Sequence, residues 1–571
     1  MPDIHADKAS RLSPEERAAL AQILFPHITK QPEDYERIYP PRDLPPGAVV
    51  TRFGPSPTGF IHLGNLYSTL ADERLARQSG GLFILRVEDT DNKREIAGAV
   101  ELIISSLAYF GLQFDEGATE KGDQGDYGPY RQRRRAELYQ SLACKLIREG
   151  RAYPCFCTEE ELAEIRREQA SGKHNPGYYG PWARHRDLTM DEIRVRLDRG
   201  EPFVVRFRSM GDPSGTFTLH DGIRGSLTMP ENDQDFVLLK ADGIPTYHFA
   251  HVTDDHFMRV THIIRGEEWL STLPYHVELF AALGYQPPVF CHTTVLMKMD
   301  GGVKRKLSKR KDPELGLDYY RRLGYLPDAV RIYLLTVLNS NFEEWQTANP
   351  DLPYTSFPFS TEKMGSSGAL FDLDKLHNIS KDIFAAMSAR EVCAFLQEWS
   401  SREAPEIHEM LATDMDYVMS ILQIGRGGDN PRKDLVYGKQ IVDFIRFFFD
   451  NLYAREDPYP EQIESDEAVL MLEEYITGYR FTDDAAQWFD AVRNLGLSHG
   501  FAAKPKDYKN HPEMYKGHVG DVSSLLRVAL TGRRNSPDLW EIQQIMGEAR
   551  VRRRIEVAIG ELRDRQESEG L

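Results

Sequence analysis

The chain has 571 residues, is 41% hydrophobic and 28% charged, and carries a formal net charge of −18; at roughly 150 residues per domain this predicts about three to four domains. The acidic balance excludes a surface that is basic throughout, while local basic patches stay open. An apolar run long enough to span a bilayer, an apolar N-terminal signal and a disulfide framework are all missing (the five cysteines are isolated), so a cytoplasmic protein without membrane contact is expected.

Residues 1–47 read as a polar N-terminal extension. Ser13 followed by Glu16 predicts a capping-box helix over 13–25, and Pro40, Pro41, Pro45 and Pro46 predict a linker. AVVTRF (48–53) predicts a buried strand, GPSPTG (54–59) a turn, and Leu63, Leu66, Leu70, Ala71 and Leu75 a helix that Gly80 and Gly81 stop. LFILRV (82–87) predicts a second strand, and Ile96, Val100, Ile103, Leu107 and Phe110 a second helix. Strand and helix alternating in this way predict a parallel α/β unit. Residues 128–244 are mixed and polar, with β-like runs such as FVVRFR (203–208), and read as an α+β insertion that splits the sheet. The α/β character resumes at 245–300, a basic loop region follows at 301–365, and 366–571 is helical throughout.

Two short segments carry candidate chemistry. A Gly/Pro turn between a parallel strand and a helix turns backbone N–H groups outward at a positive helix end, which favours phosphate. His62 stands there as a candidate donor, and Gly64 admits close approach of a ligand. KRKLSKRK (304–311) has six basic residues in eight, as suits a loop closing over a triphosphate. Arg52 stands at the end of the first strand and Glu88 at the end of the second, where open parallel sheets bind ligands. A guanidinium suits a carboxylate there, and a carboxylate suits an ammonium.

RFGPSPTGFIHLGN (52–65) resembles the first signature of class I aminoacyl-tRNA synthetases, which usually ends His-Ile-Gly-His, and its lead-in looks like the glutamyl/glutaminyl branch; here Asn65 replaces the second histidine. Lys306-Leu307-Ser308-Lys309-Arg310 resembles the second signature, Lys-Met-Ser-Lys-Ser, in the family order. PTYHFAHVTDDHFMRVTHIIRGEEWL (245–270) resembles the bacterial glutamyl-tRNA synthetase segment, with His251 where an Asn is usual.

The resemblance implies a Rossmann-type catalytic domain (48–127 and 245–300), an acceptor-stem-binding insertion (128–244), a stem-contact region (301–365) and an α-helical anticodon-binding domain (366–571). It implies ATP with Mg²⁺ as cofactor, L-glutamate and tRNA(Glu) as partners, and a monomer. By the same resemblance His62, Gly64, Lys306 and Lys309 are catalytic, and Arg52, Ser56, Glu88, Tyr247 and Arg265 bind glutamate. His62, Glu268, Trp269, Met297, Lys306, Ser308 and Lys309 would bind ATP, and Arg527 the tRNA. Arg265 would read the γ-carboxylate. Cys155 and Cys157 resemble the start of a zinc site of some members, but Trp182 stands where the further Cys would be, so zinc is not expected; His174 or His185 could substitute. Whether tRNA for glutamine is charged as well stays open. Glutamylation of an anticodon base, an inactive tRNA-binding paralogue and a simple nucleotidylyltransferase are the rival readings. The long helical C-terminus and the presence of His62 and Lys309 weigh against them.

Overall fold

The computed structural model describes residues 10–57, 61–91, 96–426 and 431–569. Thr58 and Gly59, the end of the expected turn, lie outside the described residues. The chain divides into two compact units, 1–319 with 330–372, and 320–329 with 373–571.

In the first unit, helix α1 (Pro14–Leu24) starts on the expected capping box: Glu16 N–H donates to Ser13 Oγ at 3.2 Å and Ser13 N–H to Glu16 Oε2 at 2.8 Å. With α2 (Pro32–Ile38) it packs on a later helix, and Leu20, Leu24, Phe25, Tyr35 and Tyr39 enter the main core. The N-terminal segment is therefore a clasp as well as a polar extension. Arg42 grips Glu116 through both Nη atoms at 2.8 and 2.9 Å and donates from Nε to the Met258 carbonyl at 3.0 Å. It thus touches the stretches before and after the insertion.

Strand β1 (Val50–Phe53), helix α3 (Leu63–Ser79), β2 (Leu82–Leu85), α4 (Ala99–Tyr109), β3 (Glu116–Thr119) and β4 (Gly122–Gln124) follow. β1, β2 and β3 are parallel neighbours and β4 returns antiparallel. Gly81 permits the β1–β2 approach, because a Cβ there would sit 1.9 Å from the Val49 carbonyl oxygen.

The inserted region begins with α5 (Ala136–Arg148), the helix that receives α1. It continues through β5 (Ala152–Cys155), α6 (Glu159–Ser171), α7 (Met190–Asp198), β6 (Val204–Phe207), the hairpin β7 (Thr216–Asp221) and β8 (Gly225–Pro230), and β9 (Val237–Leu239). β5, β6 and β9 form an antiparallel sheet. In the hairpin turn, Gly222 N–H donates to the Phe290 carbonyl at 2.8 Å, which seats the hairpin against the parallel strands that follow.

The parallel α/β pattern resumes with α8 (Tyr247–Phe257), β10 (His262–Gly266), α9 (Leu273–Leu283) and β11 (Val289–Thr293). β10 and β11 are parallel. β10 joins β1 through Thr261, whose N–H donates to the Val50 carbonyl at 2.9 Å while Val50 N–H donates to Thr261 Oγ1 at 2.8 Å. The two-stranded sheet of β10 and β11, which follows the insertion, thus lies beside β1 of the four-stranded sheet that precedes it. The hairpin β12 (Leu296–Asp300) and β13 (Val303–Lys306) then carries the basic loop.

The second unit is built of helices among its described residues; its last, Glu548–Glu569, packs along Ser465–Gly478. No described helix of the chain is long and apolar enough to cross a membrane.

Candidate active site

A cleft of about 470 Å³ opens at the C-terminal ends of β1, β2, β10 and β11, the place where open parallel sheets bind ligands. Arg52, Ser56, His62, Gly64, Glu88, Tyr247, Arg265, Glu268, Trp269 and Lys306 all line it. Met297 lies on β12 opposite Lys306 of β13.

At one end His62 is the N-cap of α3. Its Nδ1 accepts the Asn65 N–H at 3.2 Å, and Asn65 Oδ1 accepts the His62 N–H at 3.1 Å. Asn65, in the place of the missing histidine, thus closes a capping box. A backbone N–H can only donate, so Nδ1 is the acceptor and the neutral ring keeps its proton on Nε2. Burial lowers the His62 pKa, and the charges of Lys309 and Lys306 lower it further. His62 is therefore a neutral hydrogen-bond donor beside two lysines.

The basic loop is organised by Asp312, which is buried. Ser308 N–H donates to its Oδ2 at 2.8 Å, and Arg305 grips both its oxygens at 2.6 and 2.8 Å. Arg305 hydrogen bonds hold this carboxyl far below the usual range. Lys306 and Lys309 are exposed.

At the other end Arg265 is buried among imidazoles. Its Nε donates to His292 Nε2 at 3.0 Å, and its Nη1 lies 3.2 Å from His276 Nδ1 and 3.4 Å from His251 Nε2. Its Nη2 has no hydrogen bond among the described residues. Burial pushes His251 down to about 3 and His248 down to about 4, so the cage is neutral at physiological pH. The Tyr247 ring stacks on Trp269 with centroids 4.2 Å apart and on His251 at 5.5 Å.

Beneath the cleft, Asp255 accepts from Arg52 Nε at 3.1 Å and from Arg86, and lies 2.9 Å from His251 Nδ1. Asp254 accepts from Arg135, Gln132 and Tyr139 at 2.7, 3.0 and 2.8 Å. Glu88 accepts from Arg86 at 3.1 Å. A Cβ on Gly54 would lie 2.5 Å from Glu88 Oε1, so the Glu88 carboxylate occupies space that only glycine leaves open. Of the charged residues that line the cleft, Arg52, Arg265 and Lys306 are matched in number by Glu88, Asp91 and Glu268. The sequence reading missed Asp255, His276 and His292, as well as Gly54.

Cys155, Cys157 and His185 place their ligand atoms within 4.8 Å of one another, and the Tyr178 hydroxyl lies 3.4 and 3.3 Å from the two sulfurs. Trp182, whose presence argued against zinc, packs at a tilt against His174 and edge-on against Tyr179 instead. Of the two alternatives the fold brings in His185. The donor set suits a four-coordinate structural zinc; such an ion would tie β5 to the following loop and supply no chemistry to the cleft.

Much of the basic surface is spent on structure. Arg135 is buried on Asp254, Arg533 pairs with Glu456 at 2.9 Å, and Arg554 with Asp450 at 2.7 Å. Arg527 donates from Nη1 to the Ser536 and Pro537 carbonyls at 2.9 and 2.7 Å.

The family described as class I tRNA synthetases (E and Q), catalytic domain, matches residues 48–357, and an anticodon binding domain matches 509–559. A glutamate–tRNA ligase of Acetivibrio thermocellus is 59% identical over 538 residues, 94% of this chain and 98% of that relative. One of Thermus thermophilus is 36% identical over 522 residues, 90% of this chain and 100% of the relative. A crystal structure of a glutamate tRNA ligase from Elizabethkingia meningosepticum in complex with its amino acid is similar with a TM-score of 0.72 and 29% identity, covering 90% of this chain and 99% of that one.

Proposed function

Because the chain belongs to the class I tRNA synthetases of the glutamate and glutamine (E and Q) family, we infer that its reaction is glutamate–tRNA ligation, carried out at the cleft over β1 and β10. The glutamate α-carboxylate attacks the α-phosphate of ATP and pyrophosphate leaves; the 3′-terminal adenosine of tRNA(Glu) then attacks the glutamyl carbonyl and AMP leaves. The observation that carries the amino-acid assignment is Arg265: a buried guanidinium lining the cleft, surrounded by neutral imidazoles and the Tyr247 hydroxyl.

Each residue has a physical task. Arg265 pairs with the γ-carboxylate, and Arg52 and Ser56 lie where the rest of the amino acid fits. Glu88 answers the ammonium and Tyr247 walls the pocket. Glu268, Trp269 and Met297 border the adenosine. His62 donates from Nε2 to a phosphate oxygen, with Gly64 leaving room beside it. Lys306 and Lys309, with the Ser308 turn, meet the charge that develops on the phosphates, so preplaced cations lower the barrier. Mg²⁺ enters with ATP. Arg527 orders a loop of the anticodon-matching region and is the tRNA contact proposed there.

ATP–pyrophosphate exchange tests this reading. Exchange is expected with glutamate and not glutamine, and only with tRNA present. Exchange driven equally by glutamine would remove Arg265 as selector. Gly54→Ala offers a finer check. The added methyl displaces the Glu88 carboxylate without touching backbone, so the KM for glutamate is expected to rise roughly ten- to hundredfold, the worth of one charged hydrogen bond, with the thermal midpoint nearly unchanged. An unaltered KM would take Glu88 out of the ammonium site.

A further inference from the structure

The orientation of Arg265 is set from outside its own strand. A guanidinium only donates, so His292 Nε2, 3.0 Å from Arg265 Nε, must be an acceptor. On the far side of the ring, His292 Nδ1 lies 2.6 Å from Asp221 Oδ2. An ionised carboxylate only accepts, so Nδ1 carries the proton. His292 is thus neutral and confined to one tautomer. Burial also holds its pKa below the ordinary imidazole value. Asp221 is equally constrained: its Oδ1 accepts the Ile223 and Arg224 N–H groups, each at 2.9 Å, and Asp221 and His292 are both fully buried. Asp221 ends β7, so this carboxylate belongs to the inserted hairpin and not to the parallel sheet. Arg224, in the same turn, donates from Nε to the His292 carbonyl at 3.2 Å and pairs with Glu267.

We propose that Asp221 and His292 are positioning residues for amino-acid selection: Asp221 fixes the His292 tautomer, and His292 then holds the Arg265 guanidinium in the orientation that meets the substrate carboxylate. The proposal rests on the reading of this cleft as the glutamate site. It predicts a specific failure in Asp221→Asn. The backbone donors of Ile223 and Arg224 keep the amide oxygen at the Oδ1 position. The amide NH₂ then faces His292 Nδ1, drives the ring proton to Nε2, and sets it against the Arg265 Nε–H. Two donors meet at hydrogen-bond distance and the guanidinium must turn away.

The test is steady-state charging of total bacterial tRNA by the full chain, with glutamate and ATP varied in turn. Asp221→Asn is expected to raise the KM for glutamate roughly ten- to hundredfold and leave the KM for ATP near that of the unaltered protein. His292→Gln retains an acceptor toward Arg265 and a donor toward Asp221, so it is expected to charge within a few fold of the unaltered protein. His292→Leu is expected to lose at least as much as Asp221→Asn. An unchanged glutamate KM in Asp221→Asn, equal rises for glutamate and ATP, or His292→Gln as impaired as His292→Leu would each overturn the proposal. Should Asp221→Asn not fold, the His292 pair decides by itself. Failure of the unaltered protein to charge glutamate would instead overturn the reading of the cleft.

Discussion

Arg265→Gln is expected to lower kcat/KM for glutamate by roughly 10²- to 10³-fold, about 3–4 kcal/mol, the range for removing one partner of a buried charge pair. The loss is large because the carboxylate loses its cation in a site where little water can replace it. Arg265 is 6% exposed and its neighbours His251, His276 and His292 are fully buried. These three rings are neutral acceptors or donors and carry no compensating charge. Gln also has a single amide where Arg has a fork, so it cannot satisfy His292 and a substrate carboxylate together. The preference for glutamate over glutamine is expected to collapse with the rate, because a neutral amide no longer leaves a cation unpaired. Binding of tRNA, measured by filter retention, is expected to be unchanged. Near-normal charging by this variant would remove Arg265 as the γ-carboxylate reader.

The parts of this site that are local in sequence are legible there. Residues 48–75 spell strand, turn and helix by their own periodicity, and His62 stands at the junction because the helix starts on it. The basic loop is visible as a run, and Arg265 through the segment around it. What is not legible is whatever depends on partners distant in the chain. Asp254 and Asp255 look like two surface carboxylates on a helix, yet both are fully buried because Arg135 comes to one, and Arg52 and Arg86 to the other. A usable signal was present: adjacent carboxylates on a helix whose other positions include Phe249, Val252 and Phe257 imply buried cations to meet them. His292, in the strand VFCHT, reads as core until Asp221 of the hairpin is seen beside it. The N-terminal 47 residues read as extension and linker because few of them are apolar. Arg42, Glu36 and Tyr39 find their partners only after the sheet has closed. Charge counted along the chain does not separate an arginine at the surface from one paired inside, as Arg135 is with Asp254.

Asp255→Asn is expected to destabilise the first unit by about 3–5 kcal/mol, the usual cost of leaving buried charges without their counterion, which lowers its thermal midpoint by roughly 5–10 °C. The residue is fully buried, and its carboxylate is the common acceptor for Arg52 from β1 and Arg86, one residue beyond β2, with His251 of its own helix alongside. Burial alone would push its pKa up, but the Arg52 and Arg86 guanidiniums prevail and hold it well below the ordinary value. A depressed native pKa makes a stabilising contribution that is complete above the unfolded value of about 4 and is lost as pH falls through the native one. The gap in midpoint between the unaltered protein and Asp255→Asn is therefore expected to be constant from pH 8 to about pH 5 and to shrink only below about pH 4. Thermal unfolding at three pH values checks it; equal midpoints at neutral pH, or a gap that widens in acid, would show that Asp255 is not the counterion of this cluster. The same substitution acts on the cleft, because Arg52 and Arg86 then lose the carboxylate they share. Arg52 is set at the end of its strand by that carboxylate, so charging is expected to fall even at temperatures where the variant remains folded.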